Sequence, residues 1–351
     1  MPSHRMRWLA PWMVAGLLLA TPAEAAPSRT RRARVATRFL ASQQAENGSM
    51  PGFSVLGSTA DAAVSLVAAR RGAGALEDAM TFLVTRVARD EVEGLGETAK
   101  VVMAAVASAN DPRDFGGRNL VAEIRATLDA RSGRYVESAP NAKVVSHALA
   151  MLALHAAEAR VAPEASEWLR KAQCRDGGWQ FNEPSRRGDN PHCNDGSDFD
   201  PVTDTNTTSY AVQALAVAPA DRRLRTSPFA YFRSARDPIK GGWRYEHRVR
   251  PYGTRMLTDA NSTALVIQAY EARGRRLPKG AMRALKALQH RLCGQAPGGF
   301  AYTWSKQDGR LRRGPADLGA TIGAIPGLLR RPLPVAAFEV TRPAPRPDRC
   351  R

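Results

Sequence analysis

Lysine is scarce in this chain: 7 of its 51 basic residues are lysine and the rest are arginine. The net charge of +18 is spread along the whole length, and no Arg/Lys block interleaved with aromatics appears, so the concentrated basic stripe of a nucleic-acid binder is excluded. Diffuse positive charge of this kind implies at most a nonspecific attraction to an anionic cell envelope. Cysteine is limited to Cys174, Cys193, Cys293 and Cys350, without the close C-x-x-C pairs of a zinc site. Long apolar runs are absent after the first segment, which excludes a transmembrane anchor in the rest of the chain.

That first segment carries Arg5 and Arg7, an apolar run from Trp8 to Ala20 interrupted by Pro11, and small residues at Ala23 and Ala25. It falls short of the roughly 20 apolar residues that span a bilayer. The pattern predicts a signal peptide over residues 1–25, cut after Ala25, and a secreted or extracytoplasmic protein. Export makes the four cysteines disulfide candidates. Nearest-neighbour pairing joins Cys174 to Cys193 and ties Cys350 to Cys293, with all three connectivities open.

Catalytic patterns are also missing. No Ser/His/Asp or Cys/His order stands out. His147 near the head of a predicted helix serves equally well as a satisfied buried imidazole or a ligand, whereas His155 and His290 read as ordinary helix residues. The stretch from Cys174 to Asp204 is dense in acids (Asp176, Glu183, Asp189, Asp195, Asp198, Asp200), yet its spacing fails the EF-hand pattern, and it reads as a solvated, disulfide-closed loop.

What the chain does have is an internal repeat. Phe39-Leu40, Gln44 and Gly48-Ser49-Met50 return as Trp168-Leu169, Gln173 and Gly177-Gly178-Trp179, and Ala-rich segments follow, opening on Asp204-Thr205-Asn206 or Asp259-Ala260-Asn261. Turn signals divide the chain into six units beginning near Val35, Gly74, Arg118, Pro163, Ser227 and Lys279, each reading as two helices. Second helices such as Ala62 to Ala69 are small and apolar nearly all round, the pattern of a helix buried on every side. First helices carry Arg, Glu and Lys on one side. The expected fold is all-α, an α6/α6 toroid of inner and outer rings over residues 35–333. It follows a basic flexible segment at 26–34 and precedes a Pro/Arg-rich tail at 334–351.

The Trp168-Leu169-x-x-x-Gln173-x-x-x-Gly177-x-Trp179 run resembles the QW motif of squalene and oxidosqualene cyclases, whose α/α toroid is shared with protein prenyltransferase β subunits. A second resemblance rests on Gly96-Glu97-Thr98-Ala99-Lys100, Asn110-Asp111-Pro112, Asn119-Leu120-Val121 and Thr207 to Leu215, which look like segments of the cobalamin transporters transcobalamin and intrinsic factor. The QW likeness implies architecture: the Gln bonds free carbonyls, the Gly permits the turn and the aromatic packs over the junction. Class II cyclases use the middle Asp of Asp-x-Asp-Asp-Thr as acid. Here Pro201-Val202-Thr203-Asp204-Thr205 lacks it, and the zinc ligands of the prenyltransferases are missing too.

The polar residues at the inner-helix starts (Asp204 and Asn206, Asp259 and Asn261, Asp317 and Thr321, Glu97 and Thr98, Thr59 and Asp61) are expected to face one rim. There they cap helices and offer oxygens to a ligand. Trp179, Trp243, Tyr245, Tyr302 and Trp304 on the preceding turns add flat apolar surface. With Gln213, these give the candidate ligand site: Asp204, Asn206, Gln213, Asp259, Asn261, Asp317, Trp179, Trp243, Tyr302 and Trp304. No catalytic residue, metal or required cofactor is assigned. The resemblance to the transporters implies a non-catalytic secreted binder of a corrinoid such as cobalamin or another bulky polar molecule, without the transporters' second, lid-forming domain. The alternatives are a terpene cyclase or prenyltransferase-type enzyme using Asp204 or Asp259 on a polyprenoid, and a structural protein-interaction toroid of the envelope.

Overall fold

A computed structural model of the chain describes residues 28–136, 143–183, 193, 203–218, 223–246, 257–293, 296–308 and 310–345. The signal-peptide segment and most of the acidic loop lie outside these residues. Twelve helices form among them and alternate between two rings. The outer ring is α1 (Arg29–Gln43), α3 (Ala73–Ala88), α5 (Leu120–Ala126), α7 (Pro163–Lys171), α9 (Pro228–Ser234) and α11 (Ala281–Ala287). The inner ring is α2 (Val55–Ala69), α4 (Leu95–Ala107), α6 (Val144–Ala156), α8 (Thr205–Val217), α10 (Ala260–Ala272) and α12 (Leu318–Leu329).

Each inner helix packs on the next, and α12 packs back on α2, so the ring closes as the six-unit pattern requires. Small side chains let the inner helices approach: in α10, Ser262, Thr263, Ala264, Val266, Ile267 and Ala269 are all fully buried. Gly327 of α12 marks the tightest such backbone approach, because a Cβ there would lie 2.6 Å from the Cα of Ala264. Gly327→Val is expected to lower stability by about 3 kcal/mol through overpacking. Urea unfolding checks this, and an unchanged midpoint would contradict the close packing of α10 on α12.

The repeated glutamine works between units as well as within one. Gln44 donates to the carbonyl of Gly48 in its own turn (2.8 Å) and to that of Ala75 in the next outer helix (2.9 Å). Gln173 does the same with Gly177 (3.0 Å) and Thr226 (2.7 Å), and Gln289 with Gly298 (3.0 Å) and Arg32 (3.0 Å). Arg236 takes this role in the fifth unit, reaching Gly241 and Lys279. Because Arg32 belongs to the first helix, Gln289 stitches the last unit to the first. The turn residue that follows gives its backbone N–H to a threonine in the next inner helix: Met50 to Thr59, Trp179 to Thr208, Trp243 to Thr263 and Phe300 to Thr321, all within 2.8–3.0 Å.

His147 fills that threonine's place in the third unit. Its Nδ1 accepts from the Tyr135 N–H at 3.1 Å, and its Nε2 lies 2.9 Å from the Ala165 carbonyl. Burial lowers its pKa to about 4, so it is a neutral, satisfied imidazole.

Three features differ from the sequence reading. Helix α1 begins at Arg29, inside the segment read as flexible, because Ser28 caps it and the Arg32 guanidinium bonds Gln289 at 3.1 Å. Short antiparallel ladders join the units, namely β1 (Leu128–Asp129) with β2 (Arg134–Tyr135), β3 (Phe300–Ala301) with β6 (Ala316–Asp317), and the hairpin β4 (Trp304–Gln307) with β5 (Arg310–Arg313). Residues 332–345, at the start of the Pro/Arg-rich tail, pack against the helices. Leu333 N–H donates to Gln213 Oε1 (2.8 Å), Phe338 N–H to the Ala107 carbonyl (3.0 Å), and Gly72 N–H to the Arg342 carbonyl (2.9 Å). Val335 and Val340 are buried, so this segment covers the end of the ring where the inner helices terminate.

A disulfide joins Cys174 to Cys193, and Cys293 is disulfide-bonded as well, while Cys350 lies outside the described residues. No described helix is long and apolar enough to cross a membrane.

Candidate functional site

The inner ring encloses a hollow of about 250 Å³, lined by residues of all six inner helices. Position along each helix sorts the lining into layers. Ser58, Asn206, Asn261 and Gly319 stand in the first turns, and Asp61, Lys100, Tyr210 and Leu265 come a turn deeper. Val64, Met103, Gln268, Pro326 and Leu333 form the floor. Leu333 belongs to the covering segment, which borders the hollow on the side of the helix C-termini.

Lys100 is the only lysine or arginine in the six inner helices. Its Nζ lies 2.6 Å from Asp61 Oδ2. Burial disfavours the ammonium, but the Asp61 carboxylate, together with Tyr210 and Glu97, more than offsets this and holds its pKa above the usual lysine value. Tyr210 is pushed up to about 12, first by burial and then by the charge of Asp61. Lysine and tyrosine both stay protonated at neutral pH and act as hydrogen-bond donors.

Asn206, Asn261 and Gln268 contribute amide side chains to the same lining. Asn261 Oδ1 and Gln268 Oε1 are buried without a partner. Asn206 Oδ1 accepts from Ser262 Oγ at 3.0 Å. The glycine at 323 makes room for the Asn261 amide, since a Cβ there would sit 2.6 Å from Oδ1. An unpaired buried acceptor costs about 1–3 kcal/mol. Among the described residues no cluster of three or more His, Cys, Asp or Glu is arranged to hold a metal.

Of the ten residues picked from the sequence, Asn206 and Asn261 line the hollow. Asp204 and Asp259 turn back instead and cap their own helices, with Oδ1 accepting from the N–H of Thr207 and of Ser262 at 2.7 Å each. Both are almost fully buried, and burial raises each to about 7. Asp317 caps α12 from an exposed position. Gln213 is buried and holds the covering segment.

Trp179 and Trp243 are wholly buried wedges whose indole N–H groups bond the carbonyls of Leu169 and Phe232 at 2.7 Å. Tyr302 is 39% exposed, and Trp304 lies under the Lys240 ammonium at 3.9 Å. Lys100, Tyr210 and Gln268 escaped the sequence reading as site residues. The signal was a lone basic residue on helices otherwise built of small and apolar side chains.

No protein-family model matches the chain, and no curated protein matches it in sequence. Solved structures do. A protein from Actinoplanes superposes with a TM-score of 0.56 at 17% identity, over 86% of this chain and 99% of its own. The type II terpene cyclase MstE from Scytonema, in complex with its product merosterolic acid A, gives 0.56 at 13% identity, over 86% and 96%. A D-mannose isomerase gives 0.56 at 11%, over 89% and 100%. At these identities the likeness reaches the fold and stops there: the chain is an α/α toroid similar to those of terpene cyclases and sugar isomerases.

Proposed function

We propose that this chain is an exported small-molecule-binding toroid whose ligand enters between the inner-helix N-termini and fills the central hollow. The observation that carries this reading is the pair of unpartnered buried acceptors, Asn261 Oδ1 and Gln268 Oε1, in the same hollow as the Asp61–Lys100 pair. A compact molecule bearing hydroxyl or amide groups matches that mixture of donors and acceptors, with its apolar side against Val64, Met103 and Leu265. Drug-sized ligands occupy pockets of about 300–1,000 Å³. A hollow of about 250 Å³ is smaller, so a whole corrin macrocycle is not the favoured occupant. The Cys174–Cys193 disulfide fits an oxidising compartment, and the net charge of +18 fits an anionic envelope nearby.

Binding is favoured over catalysis because the hollow's own titratable donors are not poised for proton transfer near neutrality. Asp204 and Asp259 have the acidity an enzyme would want, but both are sealed behind the lining. Native mass spectrometry of protein taken from its own secretion medium tests the reading. A low-mass adduct is expected, and it should be lost when Lys100→Met is combined with Gln268→Leu. An adduct that survives in that variant would overturn the proposal, as would turnover of a polyprenoid abolished by Asp204→Asn.

A further inference from the structure

A second cleft, of about 540 Å³, lies away from the central hollow, where α8 and α10 end and α9 begins. Arg170, Arg223, Arg273 and Arg275 line it together with Val212, Leu215, Leu224, Pro228 and Phe229. None of its described lining residues is acidic. Arg170 has Glu167 at 3.6 Å, Arg273 donates to the Leu215 carbonyl at 3.4 Å, and Arg275 stacks on the Phe229 ring at 4.3 Å. Only the first of these contacts involves an opposite charge.

Capping the carboxyl end of α8 explains Arg273 but not the other guanidiniums beside an apolar wall. Arginine binds phosphate through two parallel hydrogen bonds, and stacking on Phe229 presents the Arg275 edge for this. The geometry points to a binding site for an amphipathic phosphomonoester, with its dianionic head among Arg223, Arg273 and Arg275 and its apolar body against Leu215, Leu224 and Phe229. A phosphate dianion is favoured over a single carboxylate because three guanidiniums, those of Arg223, Arg273 and Arg275, line the same cleft. The head group belongs either to a membrane lipid or to a soluble ester.

Titration calorimetry with n-octyl phosphate tests the site on the full chain. Wild type is expected to bind it about tenfold more tightly than inorganic phosphate or octanol, and the Arg223→Ala/Arg275→Ala variant to lose about that factor. Lys100→Met should leave the affinity unchanged. Three results overturn the proposal: no binding, equal affinity for inorganic phosphate, or loss of binding in Lys100→Met but not in the arginine variant. Because exposed arginines are replaced, circular dichroism should show the variant folded. Arg275→Lys, which keeps the charge and loses the fork, is expected to bind weakly and guards against a purely coulombic effect. Sedimentation with phosphatidate vesicles, abolished in the double variant, assigns the head group to lipid. Octyl phosphate binding without sedimentation assigns it to a soluble ester.

Discussion

Between pH 5 and 7.5, Asp204→Asn/Asp259→Asn is expected to reverse the direction in which stability changes with pH. Each carboxyl titrates at about 7 in the folded protein against an ordinary value of 3.8, because burial opposes its charge. The folded state therefore keeps protons that the unfolded chain has released, and stability falls as pH rises through this window, the loss being complete above about 7. Some three units correspond to about 4 kcal/mol per group. His147 acts in the opposite sense: its folded pKa is lowered from 6.5 to about 4, so its contribution is full above 6.5 and is lost as pH falls toward 4. Two carboxyls outweigh one imidazole in the wild type.

Asparagine keeps the Oδ1 acceptor that caps Thr207 and Ser262 but carries no charge. The variant should exceed wild type by several kcal/mol at pH 8 and gain stability as pH rises. Urea midpoints across the window decide the matter. Parallel profiles for the two proteins would mean that neither carboxyl holds its proton on folding.

The second large effect is expected at the seam of the ring. Gln289→Leu removes two bonds from its amide, to Arg32 and Gly298, and the one it accepts from the Arg32 guanidinium. Three hydrogen bonds, one buried and two part-buried, with carbonyls left unpaired, place the cost at about 3 kcal/mol. Gln44→Leu removes the corresponding stitch of two bonds, but there the units are joined by continuous chain, and α2 and α3 stay packed. The seam between Gln289 and Arg32 has only noncovalent contacts. Amide exchange should therefore quicken in α1 and around Gln289 first in Gln289→Leu, and the loss should exceed that in Gln44→Leu. Equal effects at both sites would show that closure adds nothing beyond local bonding.

Much of the architecture was legible because the repeat places one set of demands on every unit. Gln44, Gln173 and Gln289 are each followed by a glycine turn, and each meets the same pair of carbonyls. Arg236 shows why the motif is imperfect in sequence yet regular in space, since a guanidinium reaches the same two oxygens as an amide. The hairpin at 304–313 departs from the all-helical pattern, and its one sequence signal is Asp308-Gly309, a common hairpin dipeptide between the strands. The site was far less legible. Aspartate at a helix start serves capping and binding equally well on paper, and only the packed chain shows that Asp204 and Asp259 turn their Oδ1 atoms to their own backbones.

From the sequence alone came the six helical pairs, the burial of the small apolar helices inside the amphipathic ones, and the closing of the ring, because periodicity and turn chemistry are local and repeat from unit to unit. Which polar side chains share the hollow was decided by tertiary structure. Asp61, Lys100, Tyr210, Asn261 and Gln268 come from four helices, and the rotation of each helix, set by packing on its two neighbours, determines which atoms meet at the centre.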